Sequence, residues 1–155
     1  ACFKDYLRNT YWDNKLKDPN SWIIDGVGID LANIDVPVYV LATMADHIVL
    51  WQSSYAGLQY ISGEKRFVLA GSGHLAGVIN PIKGGKYPHW LNENLPDDAE
   101  EWFSGATEHP GSWWSDWHAW LNQQSSKHTK ALVPGAHKDF PALCPAPGEY
   151  VLKRL

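Results

Sequence analysis

Cysteine is nearly missing from this chain: 155 residues hold two, Cys2 and Cys144, near opposite ends. They show neither CxxC nor metal-ligand spacing, which excludes a disulfide framework or a zinc site as the organising feature and makes a reducing compartment the simpler setting. Basic residues are also few. Thirteen Lys and Arg against seventeen Asp and Glu give a formal charge of -4, and the cations are scattered along the chain. Nucleic-acid binding needs a gathered basic face and is not expected. Long apolar runs are missing as well. The longest, around Val36 to Ala45, is broken by Pro37 and Thr43 and falls far short of the roughly 20 residues a spanning helix needs, so no transmembrane segment is expected. No signal peptide is visible. The first residues, Ala1-Cys2-Phe3-Lys4, carry no initiator Met and run straight into helical spacing, so the chain is expected to begin inside a longer protein.

What is present fits one globular core, since 45% of the residues are hydrophobic and the length suits a single compact domain. Nine of the residues are Trp, mainly in the second half. Phe3, Tyr6, Leu7, Tyr11 and Leu16 approximate a helical stripe stopped by Asp18-Pro19-Asn20-Ser21, which predicts an amphipathic opening helix. Residues 21 to 35 read as a loop with short extended pieces, punctuated by Gly26 and Gly28.

Val36 to Ala42 is a short, nearly continuous apolar run rich in β-branched residues, the pattern of a strand covered on both faces of a parallel sheet. Trp51, Tyr55, Leu58 and Ile61 then share a helical face, and Arg66 to Ala70 makes a second strand. This strand–helix–strand order is a βαβ unit. A connector rich in Pro, Gly and Asn follows, from Asn80 to Pro96. Two helices are expected after it. Asp97 with Glu100 resembles a capping box for the first, and Ser112 caps a second whose Trp113, Trp114, Trp117, Trp120 and Leu121 share one face. From Ser125 onward, polar residues and four prolines predict an extended tail.

Side chains with work to do in open α/β sheets stand in loops beyond the carboxyl ends of strands. Two residues obey that rule. Asp46 lies four residues past the first strand, and His74 lies four past the second, inside Gly71-Ser72-Gly73-His74-Leu75-Ala76-Gly77. One crossover helix brings the chain back to the neighbouring strand, so the carboxylate and the imidazole can meet. An acid followed by a histidine is also the chain order of α/β-hydrolases, whose nucleophile comes first. Taken singly, an Asp after a strand is often a turn former and a His in a Gly-rich loop is often surface. The pair is the stronger signal. His47 would point away from Asp46's side of an extended segment and reads as structural. His109, His118, His128 and His137 lack the helical spacing of a metal site and read as surface; no metal is expected.

Two long runs carry a family resemblance. Asp46-His47-Ile48-Val49-Leu50-Trp51-Gln52-Ser53 and Arg66 through Pro81 resemble polyhydroxyalkanoate synthase signatures. Gly111-Ser112-Trp113-Trp114 with Asp116 and Trp117 resembles the family's Trp-rich C-terminal segment. Tyr6-Leu7-Arg8-Asn9, Asp30 to Ile34 and Pro145-Ala146-Pro147-Gly148 add to it. The resemblance is to the C-terminal part of such a synthase, most like class I. Leu50 stands where the family usually has Pro, which removes a preset first helical turn. A second departure matters more: the family's nucleophile is a Cys in a G-x-C-x-G elbow, and neither Cys2 nor Cys144 has that setting.

The resemblance implies the C-terminal portion of an α/β-hydrolase fold: the last core parallel strands with their crossover helix, followed by Trp-rich C-terminal helices. Residues 1–31 would end a cap region, 32–96 would carry the core with Asp46 and His74, and 97–155 would be helices and tail of the same catalytic domain. It implies an acyltransferase that joins (R)-3-hydroxyacyl units, 3-hydroxybutyryl above all, from coenzyme A thioesters into polyester. His74 would be general base for an upstream Cys, and Asp46 would either orient His74 or serve as base for the 3-hydroxyl. Coenzyme A thioester would be substrate, and no cofactor is expected. The full-length enzyme would be a cytoplasmic homodimer on polyester granules, bound to its growing chain, and this chain alone would be inactive. Two rivals share some of these features: an α/β-hydrolase esterase or depolymerase with a Ser nucleophile, and a non-catalytic Trp-rich module using Trp113, Trp114 and Trp117 as a polymer platform.

Overall fold

The structure of the chain is a computed structural model that describes residues 2–125 and 127–154. Ala1, Ser126 and Leu155, which fall in the expected opening segment and tail, lie outside the described residues. The expected opening helix forms in pieces. Helix α1 (Cys2–Leu7) passes into a π-helical turn at Arg8–Trp12 and a 3-10 turn at Lys15–Lys17. Asn9 is tied to Asp5 and Lys15 by side-chain hydrogen bonds, and the change of winding breaks the single stripe. Phe3, Tyr6, Tyr11 and Trp12 remain exposed. A hairpin follows, β1 (Ile23–Ile24) against β2 (Val27–Gly28). Its turn residues, Asp25 and Gly26, have φ of 49° and 79°, the left-handed pair that a two-residue type I′ turn demands.

The central sheet begins with β3 (Val38–Thr43), continues through helix α2 (Trp51–Ala56) and a 3-10 turn at Gly57–Tyr60, and returns as β4 (Lys65–Ala70). β3 and β4 pair in parallel over their whole length, from Val38 opposite Lys65 to Thr43 opposite Ala70. The expected βαβ unit is therefore present. Alternation along the strands sorts their side chains onto two faces. Val40, Ala42, Phe67 and Leu69 meet Trp51, Tyr55, Leu58 and Trp102 on one face. Tyr39, Leu41, Val68 and Ala70 meet Trp113 and Trp114 on the other. Phe67 stands edge-on to both Tyr55 and Trp102, with ring centroids 5.0 and 4.9 Å away; such pairs each contribute about 0.5–1.5 kcal/mol beyond burial.

Beyond β4 the sheet is mixed. β5 (His89–Leu91) runs antiparallel to β4, and β6 (Thr107–His109), which follows helix α3 (Ala99–Ser104), runs antiparallel to β5. The stretch from Asn80 to Pro96 thus holds a strand where a plain connector is expected. The reason is non-local: three residues have little propensity of their own and are held by the free edge of β4. Asp98, one residue after the expected cap, begins α3 by accepting the Glu101 N–H at 2.9 Å. Helix α4 (Trp114–Gln124) begins as expected, with Ser112 Oγ accepting the Trp114 N–H at 3.1 Å. Its Trp residues are not uniformly core: Trp113 is buried, Trp114 and Trp120 are half-buried, and Trp117 is exposed.

Asp116 fastens α4 to the sheet. Its carboxylate accepts from the Tyr39 hydroxyl and from Arg66 Nε, each at 2.9 Å, and pairs a second time with Arg66 Nη2. Burial pushes the Asp116 carboxyl up, but the hydrogen bonds from Arg66 and Tyr39 outweigh it and hold the group below the usual carboxylate range. Burial first, and then the neighbouring carboxylate, raises the Tyr39 phenol.

Residues group into two compact units, Ala1–Gln124 and Ser125–Leu155. Within the second, β7 (Ala136–His137) and β8 (Phe140–Pro141) form a small hairpin and Tyr150–Leu152 a 3-10 turn, nearly all of it exposed. No helix among the described residues is long and apolar enough to cross a membrane.

Candidate active site

The loops after β3 and β4 lie next to each other because their strands do. Pairing continues past the strand ends: the Met44 N–H donates to Ala70 O at 2.8 Å and the Ala45 N–H to Ser72 O at 2.9 Å. Asp46 and His74 follow directly on these rungs. Ser72 has φ of 72°, an uncommon conformation for a non-glycine residue and of the sort found in loops that hold a side chain at work. Gly77 closes the loop where a side chain would not fit: a Cβ there would lie 2.5 Å from Thr43 Cγ2 and 2.6 Å from Gly71 O. The glycine signature around His74 is thus a matter of close approach.

The two expected site residues meet. His74 Nδ1 lies 2.8 Å from Asp46 Oδ2. The other carboxylate oxygen, Oδ1, accepts the backbone N–H groups of Ile48 at 2.8 Å and Val49 at 3.0 Å. The Val49 N–H, then the His74 side chain and the Ile48 N–H, pull the Asp46 carboxyl down to about 2. The carboxylate is therefore an acceptor at neutral pH, which makes His74 Nδ1 the donor; in the neutral imidazole Nε2 is then the nitrogen that carries the lone pair. Side-chain exposure differs in a useful way, 10% for Asp46 and 44% for His74. The acid is held in the protein, and the imidazole is the more accessible member of the pair. Such a pair can take a proton from a nucleophile placed against Nε2 and return it to a leaving group.

The other candidates stay apart from this pair. His47 is exposed beside Asp46 and has no hydrogen bond to it. His109 stacks on His89 across the β5–β6 pair, centroids 5.4 Å apart. Among the described residues no cluster of three His, Cys, Asp or Glu could hold a metal ion. Cys2 and Cys144 are both exposed free thiols. Trp113, at 8% exposure, packs in the core, and a flat platform of Trp113, Trp114 and Trp117 is not formed.

Sequence reading missed a cluster that ties the start of α4 to the sheet. Arg66, Tyr39 and Asp116 form one hydrogen-bonded cluster across 77 residues of chain. A charged residue amid tryptophans at a helix start is a visible anomaly, and its partners lie on strands whose other face is apolar.

Comparison with known proteins gives consistent matches. No protein-family model matches the chain. The chain is 47% identical over 146 residues to the poly(3-hydroxyalkanoate) polymerase subunit PhaC of Cupriavidus necator, covering 94% of this chain and 25% of that protein. It is 40% identical over 149 residues to the corresponding subunit of Rhizobium etli, covering 96% of this chain and 23% of that protein. Identity is 32% over 154 residues to poly(3-hydroxyalkanoate) polymerase 1 of Ectopseudomonas oleovorans, covering 99% of this chain and 28% of that protein. The chain spans about a quarter of the length of the curated relatives it matches.

Proposed function

We propose, from the premise that this chain belongs to the poly(3-hydroxyalkanoate) polymerase family, that it is the C-terminal portion of the catalytic domain and supplies the acid and histidine of a Cys-His-Asp site. The observation that carries the reading is the 2.8 Å contact between His74 Nδ1 and Asp46 Oδ2 at adjacent parallel strand ends. The domain would be of the α/β-hydrolase type, with residues 1–31 from its cap, 32–96 from its core and 97–155 from its closing helices and tail.

The reaction is transfer of (R)-3-hydroxyacyl groups from coenzyme A to a growing polyester, with a short-chain, class I-like monomer such as 3-hydroxybutyryl. His74 Nε2 takes the proton of an upstream cysteine thiol, whose unperturbed pKa is about 8.5. The thiolate attacks the thioester carbonyl, the C–S bond to coenzyme A breaks, and the proton on His74 leaves with the coenzyme A sulfur. Elongation repeats the pattern: a 3-hydroxyl gives up its proton as its oxygen attacks an acyl thioester, and the departing thiolate is reprotonated. Asp46 is the orienting acid here rather than the hydroxyl's base. Both its oxygens are occupied, and a carboxylate held near 2 retains a proton too weakly to draw one from an alcohol.

Coenzyme A thioester is substrate in this reading, with no further cofactor. The full-length protein would work as a cytoplasmic homodimer on the surface of polyester granules. The 155 residues alone would release no coenzyme A, since neither Cys2 nor Cys144 stands in an elbow. An esterase or depolymerase would use the same pair with a Ser, and the relatives' names favour the polymerase.

The test is acylation and elongation measured separately in the full-length protein. His74→Gln is expected to abolish acyl-cysteine formation. Asp46→Asn is expected to slow acylation and elongation in parallel, by about 10²–10⁴-fold, the usual range for loss of a proton-transfer group's support. Normal acylation with elongation alone lost would assign Asp46 to the hydroxyl instead, and a fully active His74→Gln would overturn the reading.

A further inference from the structure

We propose that Trp113 is a positioning residue for His74, acting through the loop that carries the imidazole; the proposal rests on the reading of Asp46 and His74 as the catalytic pair. The segment from Gly71 to Asn80 contains no strand or α-helix; its turns are closed by the Gly77 N–H on Gly73 O and the Ile79 N–H on Leu75 O, each at 2.9 Å, and contacts from outside fix where those turns sit. Its two ends are tied down. The Gly71 N–H donates to Pro88 O at 2.8 Å, and the Asn80 side chain donates to Tyr87 O at 2.9 Å while accepting the Lys86 N–H at 3.0 Å.

The middle of the loop is held by the start of α4. Trp113 Nε1–H is shared between Gly77 O at 3.1 Å and Val78 O at 3.2 Å, and Trp114 Nε1–H donates to Val78 O at 3.0 Å. An indole N–H can only donate, so the direction of these bonds is fixed. Trp113 also packs with Val68 and Ala70, the second of which ends β4. One buried ring therefore joins the strand end to the loop that leaves it. The helix behind it is anchored, because Asp116 is held by Arg66 and Tyr39.

Asp46 is placed chiefly by its own turn. It lies three residues past β3, its N–H donates to Thr43 O at 3.2 Å, and its carboxylate accepts from Ile48 and Val49. The strand aims the carboxylate, and α4, through Trp113, aims the imidazole. Gly77 transmits the constraint, since it sits against Thr43 with no room for a Cβ. Gly77 is buried at that contact, so a displaced 77–78 peptide is not absorbed there.

The experiment uses the full-length polymerase and a double-mutant cycle on steady-state coenzyme A release. Trp113→Phe keeps the ring and removes the N–H. It is expected to lower kcat about ten- to a hundredfold with KM changed by less than about twofold. In the Asp46→Asn background the pair is already broken, and the same change is expected to cost less than about twofold. Equal losses in both backgrounds would mark Trp113 as merely structural and overturn the proposal, as would an unchanged kcat. Should Trp113→Phe not fold, Trp114→Phe, on a half-buried ring bonded to the same carbonyl, carries the cycle with a loss of about three- to tenfold and the same non-additivity. His74→Gln separates the two readings. Full activity in that variant would sink the catalytic assignment, whereas its inactivity beside additive Trp113 effects would sink only the positioning role.

Discussion

Thr43 and Ala70 stand opposite each other as the last pair of the parallel β3–β4 register, and that rung brings Asp46 and His74 together. Beyond it the chains keep pairing for two more bonds, Met44 to Ala70 and Ala45 to Ser72, before they diverge. A slip of one residue would move one loop by about 3.3 Å along the sheet and turn every side chain of the strand to the other face. The aromatic layer beneath opposes such a slip: Phe67 and Leu69 fit only the α2 and α3 side, and Val68 and Ala70 only the Trp113 side.

Gly77→Ala is expected to lower stability by about 1–3 kcal/mol, because its Cβ would enter the space of Thr43 Cγ2 and Gly71 O. The loop would have to move to admit the methyl, so kcat would fall with it. Gly57→Ala is the matched control. Its Cβ would meet nothing within 4 Å, and its φ of -61° suits alanine, so a gain of about 0.4–1 kcal/mol is expected. Urea midpoints of the two full-length variants check both signs.

The Asp46 carboxyl offers a direct titration. Its folded value of about 2 lies below the roughly 3.9 of an unfolded aspartate. A depressed acid contributes stability that is present above about pH 3.9 and is lost as pH falls through about 2. Carbonyl-labelled NMR of Asp46 is expected to show the ionised form persisting at pH 3. Midpoint protonation near pH 4 would mean that the Val49 and His74 contacts do not persist in solution.

Much of this was legible in the residues, for identifiable reasons. Val38 to Thr43 and Lys65 to Ala70 form strands because of their own composition, and the helix between them shows its buried face in Trp51, Tyr55 and Leu58. That Asp46 and His74 meet then follows from their places just past adjacent parallel strands. β5 and β6 were not legible: each has three residues, and β5 lies in a stretch rich in Pro and Asn. The edge of β4 holds β5 and β5 in turn holds β6, and those edges exist only in the folded state. The opening stripe was legible as helical, yet burial did not follow, because periodicity reports a face and not what covers it.

Tyr55 tests the aromatic layer at the other end of the pH scale. It is fully buried and donates its hydroxyl to Pro96 O at 2.6 Å, and burial, with Asp97, Glu101 and Asp98 nearby, pushes its phenol up to about 12. The stability linked to it is complete below about pH 10, the unfolded value, and is lost as pH rises towards 12. Absorbance at the phenolate band is expected to show Tyr55 unionised at pH 10.5, and Tyr55→Phe is expected to remove that part of the alkaline instability.

Asp116 links stability to the site. Asp116→Asn would leave Arg66 and the Tyr39 hydroxyl sharing one amide oxygen. Losing a partner of a fully buried ion pair costs about 3–5 kcal/mol, but the Arg66 side chain is 33% exposed and Asp116 13%, so solvent screening reduces the expected loss to about 2 kcal/mol. The sign with pH follows from the lowered Asp116 carboxyl. Wild type is favoured above about pH 4, the unfolded value, and its advantage over Asp116→Asn shrinks as pH falls below that. Because Asp116 anchors the helix whose first residues hold Gly77 and Val78, the variant is also expected to lose kcat at pH 7. Recovering part of the stability with Gly57→Ala is expected not to recover kcat, since that change stabilises the α2 segment and leaves α4 loose on the sheet.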